Sequence, residues 1–338
     1  MEYTFQTDDE PRGRSTVVVV AIVIAVTIGV ILLLRATGDD GREQGKADEA
    51  PGVENTAAST QGNTDAPPAA STPAKKDKPA AVPLPVAATG DLKPAPAEVV
   101  TLIEKGQAAE QRDDLGAARA AYEEALASGK CGESTALVES RLGDVLVKLV
   151  MSQREMPEKV DHAIVRGDLI DKLARKYGTT AALISAANGI SNPNNIKIGD
   201  RLRILDHPKF AIAVSKSQNW LLVTMNGKFF KRYTVGTGRY NRTPIGTFKI
   251  SDKIAEPSWW KDNKEIPYGN AENILGTRWM AISATGDTPP AKGYGIHGTW
   301  DNTTLGQQSS AGCVRMANED VEELFAIVPE GTEVVITE

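Results

Sequence analysis

The chain has 338 residues, with 38 Lys and Arg against 44 Asp and Glu and a formal net charge of -6. That balance provides no whole-protein basic field, which argues against nucleic acid as a partner. Its two cysteines, Cys131 and Cys313, and three histidines, His162, His207 and His297, show no C-x-x-C or H-x-x-x-H spacing, so neither a metal centre nor a cofactor is expected.

Residues 17–34 form a run of Val, Ile, Ala and Leu broken only by Thr27 and Gly29. As a helix, this run would reach roughly 27 Å, enough to cross a hydrocarbon core of about 30 Å. It is expected to be a single uncleaved transmembrane helix, with a cleaved signal peptide as the alternative. Basic residues flank it on both sides, so charge does not decide its orientation. Residues 35–95 are dominated by Ala, Pro, Gly, Thr, Asp and Lys and lack the large apolar residues a core requires, which predicts a disordered tether.

Residues 96–157 turn helical: Val99, Leu102 and Ile103 precede the Ala-rich run around Ala117, Ala121, Tyr122 and Ala125, with Asp113, Asp114 and Gly116 marking a turn. This hairpin resembles one tetratricopeptide unit. A single unit cannot stand as a solenoid, so the segment reads as a spacer or packing element, with no partner specified. Cys131 falls in the loop that follows and carries no sign of reactivity.

Between residues 161 and 206 the order strand, helix, helix, strand emerges. Leu169, Ile170, Leu173 and Ala174 are expected on one helix face, Gly178 ends that helix, Asn188-Gly189 and Asn192-Pro193 supply turns, and residues 201–205 close the unit. The residues Gly167-Asp168, Leu173-Ala174, Tyr177-Gly178, Asn188-Gly189-Ile190 and Ile198-Gly199-Asp200-x-Leu202 resemble the LysM module. The resemblance implies binding to N-acetylglucosamine-containing glycan strands such as those of peptidoglycan, with Gly167, Asp168, Leu169, Ile190 and Asn192 as the positions that match the groove. Leu169 departs from the Thr or Ser usual there, which removes a helix-capping hydroxyl.

From residue 209 to residue 338 the pattern becomes mostly β, with Asn226-Gly227 signalling a type I′ hairpin and residues 319–327 a short helix. Cys313 follows the small-residue run Ser309-Ser310-Ala311-Gly312, and His297 lies sixteen positions before it. A nucleophilic thiol needs access, a base to take its proton and peptide N–H groups aimed at the oxyanion, and Gly312 permits close approach. On their own, a lone cysteine and a lone histidine are more often core residues. Their surroundings reverse that reading. Thr243-Pro244-x-Gly246-x-Phe248, Leu275-Gly276-x-Arg278-Trp279, Gly295-Ile296-His297-Gly298-Thr299 and Ser310-x-Gly312-Cys313-Val314-Arg315-Met316 together resemble the YkuD-type L,D-transpeptidases. The resemblance implies Cys313 as nucleophile, His297 as its base, the Gly298 carbonyl as the group orienting the imidazole, and the N–H groups of Cys313 and Gly312 as oxyanion donors. Arg315 is a candidate either for holding a substrate carboxylate or for bracing the loop. Ser310, Tyr294, Arg278 and Trp300 are further candidates for the substrate groove. Ala311 stands where many members carry a second histidine.

The expected chain is therefore multidomain: a cytoplasmic N-terminus over residues 1–16, a membrane helix, a linker, a helical TPR-like segment, a βααβ LysM module and a mostly-β catalytic domain in the periplasm or otherwise outside the membrane. The expected partners are peptidoglycan glycan strands and stem peptides, and the expected reaction is 3→3 cross-linking. The alternatives are an L,D-carboxypeptidase acting on the same stems and a non-catalytic wall-binding adaptor. The catalytic part is further expected to stand alone from about Pro208.

Overall fold

The computed structural model describes residues 93–262 and 264–338. The expected membrane helix, and nearly all of the expected linker, lie outside the described residues.

Three helices open the described chain: α1 (Ala97–Gln111), α2 (Leu115–Ala127) and α3 (Thr135–Val150). The turn between α1 and α2 is held by Asp114, whose carboxylate accepts the Ala117 N–H at 3.0 Å as an N-cap. Gly106 is required in α1, because a Cβ there would lie 2.4 Å from the ring of the fully buried Tyr122 in α2. The Tyr122 hydroxyl donates to Glu110 at 2.6 Å, so its one polar atom is satisfied inside the hairpin.

The next unit is β1 (Lys159–Ala163), α4 (Ile170–Lys176), α5 (Ala181–Ala187) and β2 (Arg201–Leu205), with β1 and β2 antiparallel and Lys159 opposite Leu205. Ile164, Ile170, Leu173, Ala174, Ile184, Leu202 and Ile204 form its own small core. Leu169 departs from expectation: it precedes α4 as an extended N-cap with no side-chain hydrogen bond, and its side chain is exposed rather than on the buried face.

The remaining strands are β3 (Phe210–Ser215), β4 (Trp220–Met225), β5 (Lys228–Thr234), β6 (Thr237–Gly238), β7 (Gly246–Ala255), β8 (Trp259–Lys261), β9 (Lys264–Ile266), β10 (Arg278–Ala284), β11 (Gly295–Thr299), β12 (Gln308–Ser310), β13 (Val314–Ala317) and β14 (Glu333–Thr337), with α6 (Asn318–Ile327) before the last. Eight of them form one sheet in the order β13-β11-β10-β7-β14-β3-β4-β5. Asn226 and Gly227 both have positive φ, as the β4–β5 turn requires. Every residue of β4 is buried. Leu221 and Val223 face the main core, while Trp220 and Leu222 join Ala213 in a smaller cluster on the opposite face.

The helical segment is not a detached spacer. Leu142, Val145, Leu146 and Leu149 of α3 share one continuous core with Phe210, Val223, Phe230 and Tyr233 of the sheet. Helix α3 packs on β5, close enough that a Cβ on Gly143 would meet the Lys231 side chain at 3.0 Å. Charged pairs ring this contact: Arg232 with Glu139 at 2.8 Å, and Lys231 with Asp144 at 3.1 Å and with Glu323 of α6 at 2.9 Å. A chain starting near Pro208 would strip this apolar face bare, which revises the expectation that the catalytic part stands alone.

The βααβ unit is joined to both neighbours. Arg119 of α2 grips Glu158 through two bonds of 2.6 and 2.9 Å. Lys159 donates to the Leu149 and Ser152 carbonyls at the end of α3, and burial lowers its pKa to about 8. On the other side, the Thr180 hydroxyl donates to the Ala326 carbonyl of α6, and Leu183 enters the main core.

Candidate active site

Strands β11 and β13 run parallel and adjacent, with His297 opposite Arg315 and Ile296 opposite Val314. Parallel neighbours need a crossover of a dozen or more residues. Here it is the segment 300–313, whose β12 pairs with β6. The sixteen-position spacing is thus the length of one strand-to-strand crossover. Cys313 ends that crossover, one residue before β13, and His297 sits in the middle of β11.

Cys313 and His297 line one cleft of about 620 Å³. His297 is 2% exposed. Its Nδ1 lies 2.6 Å from the Gly298 carbonyl oxygen, so Nδ1 carries the proton and Nε2 is the lone-pair nitrogen. Burial, the dominant cause, lowers the His297 pKa to about 4, with the Arg315 charge acting in the same direction. Burial also raises the Cys313 thiol above its usual value, against a smaller opposing pull from a backbone hydrogen bond and from Arg315. The free site therefore rests as neutral thiol and neutral imidazole, without a preformed ion pair. Trp279 is the cross-strand partner of His297 and stacks on it at 5.7 Å between centroids and 27° between planes.

The loop before the thiol is fixed by Ser310, which is buried. Its hydroxyl donates to the Cys313 carbonyl at 2.7 Å and accepts the Gly312 N–H at 3.0 Å. Ser310 thus braces the loop while also lining the cleft, and its hydroxyl takes up the Gly312 N–H. Of the two N–H groups expected to face the oxyanion, that of Gly312 is thus bonded within the loop. Gly312 has φ of +143°, and a Cβ on it would lie 2.6 Å from the Tyr294 ring. Gly298 is equally confined: a Cβ there would meet the Asn318 side-chain oxygen at 2.2 Å. That oxygen accepts the Thr277 N–H at 3.1 Å, so Asn318 ties the start of α6 to the approach to β10 beneath His297.

Of the groove candidates, Tyr294, Ser310 and Arg315 line the cleft. Arg315 pairs its backbone with Gly236 in both directions, while its side-chain Nε is buried with no hydrogen-bond partner among the described residues. Arg278 points elsewhere, its guanidinium donating to the Thr277 carbonyl at 2.7 Å and lying over the Phe325 ring of α6. Trp300 stands beyond the cleft wall, 56% exposed, tilted against Tyr268. The cleft also contains Trp259, Trp260, Lys292 and Trp279, which sequence reasoning did not assign. For Trp279 a signal existed, because alternation along a strand puts only one of Arg278 and Trp279 on the face of His297.

In the βααβ unit, Gly167 takes φ of +94° with open space around it, and Leu169 beside it is exposed. Asp168 is engaged internally: its carboxylate accepts the Val165 N–H and contacts His162 Nε2, both at 2.9 Å, and these bonds lower its pKa. His162 Nδ1 in turn meets the Tyr177 hydroxyl at 2.9 Å. Asn192 accepts the Asn194 N–H at 3.0 Å as a turn former, and Ile190 packs against the small core.

A thiol and an oriented imidazole in one cleft, at the junction of parallel strands in a mostly-β domain, define a cysteine acyl-transfer enzyme. Comparison with known proteins agrees: residues 209–336 match the YkuD L,D-transpeptidase catalytic domain, and residues 162–205 match the LysM domain. The putative L,D-transpeptidase YqjB of Bacillus subtilis is 38% identical over 128 residues, covering 38% of this chain and 70% of that protein. The putative L,D-transpeptidase YkuD of Bacillus subtilis is 30% identical over 185 residues, covering 52% of this chain and 97% of that protein. The chain belongs to the L,D-transpeptidase family, with a LysM domain upstream of its catalytic domain.

Proposed function

We propose that the chain is a membrane-anchored L,D-transpeptidase that forms 3→3 cross-links in peptidoglycan outside the membrane, held by residues 17–34 and targeted to the wall by its LysM domain. The carrying observation is the contact of His297 Nδ1 with the Gly298 carbonyl oxygen at 2.6 Å, which orients the imidazole in the cleft that also holds Cys313 and supports Nε2 as the nitrogen that takes up a proton. His297 Nε2 takes the thiol proton as sulfur attacks the carbonyl carbon of the amide at the L-centre of a stem diamino acid. The oxyanion is held by the Cys313 N–H. The imidazolium, costly in so buried a position, exists only between attack and collapse, when its proton passes to the amine of the departing D-alanine. The resulting thioester is attacked by the side-chain amine of a neighbouring stem, whose proton returns through His297 to the sulfur. Arg315, a guanidinium lining the same cleft, fits a substrate carboxylate. The LysM domain concentrates the site on its polymer.

Incubation with disaccharide-tetrapeptides tests the reaction. Dimers lacking one terminal D-alanine are expected, whereas tripeptide without dimers would establish a carboxypeptidase instead. Intact-mass spectrometry with a carbapenem tests the site. An adduct is expected on the wild type and on Cys131→Ala and none on Cys313→Ala; an adduct that persists on Cys313→Ala would overturn the assignment. Turnover should fall on the order of 10⁴-fold in Cys313→Ala.

A further inference from the structure

Strands β8 and β9 form a two-stranded sheet of their own, apart from the eight-stranded one. A lone two-stranded hairpin is marginally stable in water, so its placement depends on what grips its ends. This one carries Trp259 and Trp260 to the cleft, and Pro257 and Ser258 at its foot line the same wall. Both feet are bonded to one side chain. Asn273, 1% exposed, donates from its amide nitrogen to the Pro257 carbonyl at 2.9 Å and to the Ile266 carbonyl at 3.1 Å. Its amide oxygen accepts the Leu275 N–H at 2.9 Å, and its own backbone N–H donates to the Asn270 carbonyl at 2.9 Å. Two carbonyl oxygens face one amide atom and an N–H faces the other, so the surroundings fix which way the carboxamide points. An aspartate of the same shape could accept but not donate, and would fail at both feet of the hairpin.

The third side-chain bond reaches toward the chemistry. Ile274 and Leu275 line the cleft, and the Leu275 backbone is a hydrogen-bond partner of the His297 ring that favours its protonated form. One carboxamide therefore joins the wall a donor must lie against to the backbone that steadies the imidazolium. Asn273 does not line the cleft itself, so it acts through these neighbours. We infer that Asn273 is a positioning residue for the transpeptidase reaction, holding the β8–β9 wall for donor binding through Pro257 and Ile266, and the backbone beside His297 for the chemical step through Leu275. The two tasks use different atoms of one side chain, the nitrogen for the wall and the oxygen for the histidine, so substitution can separate them.

The test uses the full chain as wild type, Asn273→Asp and Asn273→Ala, with the active fraction of each counted by end-point carbapenem labelling and intact mass. Asn273→Asp keeps an oxygen for the Leu275 N–H but turns an acceptor toward two carbonyl oxygens. KM for a disaccharide-tetrapeptide should rise about tenfold, with kcat per labelled site within about threefold of wild type, the signature of lost donor binding. Asn273→Ala also frees Leu275, so kcat per labelled site should fall about tenfold in addition. A residue that served folding alone would lower the labelled fraction and leave KM and kcat per labelled site unchanged, and that result would overturn the proposal. A fall in kcat with unchanged KM in Asn273→Asp would overturn it as well. If neither variant folds, hydrogen exchange on the wild type decides: the amides of β8 and β9 should open together with that of Leu275, and free exchange across the hairpin beside a protected Leu275 would refute the tie. The choice of donor rests on the stem-peptide reading above. A wild type that takes the carbapenem but turns over no stem would sink that reading, and the concentration dependence of carbapenem acylation would then supply the same two parameters for Asn273.

Discussion

If the helical segment and the catalytic sheet share one core, damage to a helix must be felt at the sheet. Leu142 of α3 is 1% exposed and sits in that core, so Leu142→Ala removes three buried carbons, about 2.4 kcal/mol at about 0.8 per carbon. The residual cavity raises the cost to about 3–4 kcal/mol. With a urea slope near 3 kcal/mol per molar for a unit of this size, the midpoint should fall by about 1 M. The chain supplies separate probes for its two parts. All five tryptophans, Trp220, Trp259, Trp260, Trp279 and Trp300, lie in the catalytic domain, whereas most of the described helix lies in α1 to α3. Fluorescence and far-ultraviolet circular dichroism should therefore shift together in Leu142→Ala. A fluorescence transition that stays in place while the helical signal moves would refute the shared core.

Gly298→Ala should cost on the order of 100-fold in kcat/KM, because the added methyl displaces Asn318 or the carbonyl that orients His297; near-normal activity would show the contact to be unimportant. The rate of carbapenem acylation should stay level from neutral pH down to about 5 and fall only near 4, where His297 gains its proton; a limb near 6.5 would mean the imidazole is not held neutral by burial. The same depressed pKa makes stability drop as pH falls from about 6.5 to about 4, since in that window the unfolded chain binds a proton that the folded chain refuses. The loss should approach about 3 kcal/mol and be absent in His297→Gln, as pH-dependent urea unfolding would reveal. A chain lacking residues 96–150 should be recovered as aggregate, and soluble, monomeric material with normal acylation would contradict the packing of α3 on β5.

Sequence was most informative where local patterns carry local structure. The βααβ order, the Asn226-Gly227 turn and the short helix before the final strand all follow from periodicity and turn chemistry. The pairing of Cys313 with His297 came from flanking motifs, and the spacing between them acquires a physical meaning only once β11 and β13 are seen to be parallel. What escaped was information carried across space. Whether Arg278 or Trp279 faces the histidine depends on strand register, which a one-residue slip would invert. The two bonds by which Ser310 braces the loop before Cys313 could not be read from the sequence. Trp259 and Trp260 reach the cleft by the folding over of a hairpin far from Cys313 in sequence. The docking of α3 was hidden for the same reason, since an amphipathic helix announces that it has a buried face but not what lies against it.

The neutral pair at the bottom of the cleft also bears on how long such an enzyme lasts. Peroxide and disulfide reagents attack thiolates, not thiols, and susceptibility to sulfenic acid formation follows thiolate character and access. A nucleophile whose thiol is raised by desolvation, in one cleft with a histidine whose proton affinity burial lowers, is chemically quiet until a donor amide arrives to share the charge. The same desolvation that slows ionisation thus protects the sulfur between turnovers. A variant that exposed His297 and gained a standing thiolate would be expected to lose activity in dilute peroxide faster than the native chain.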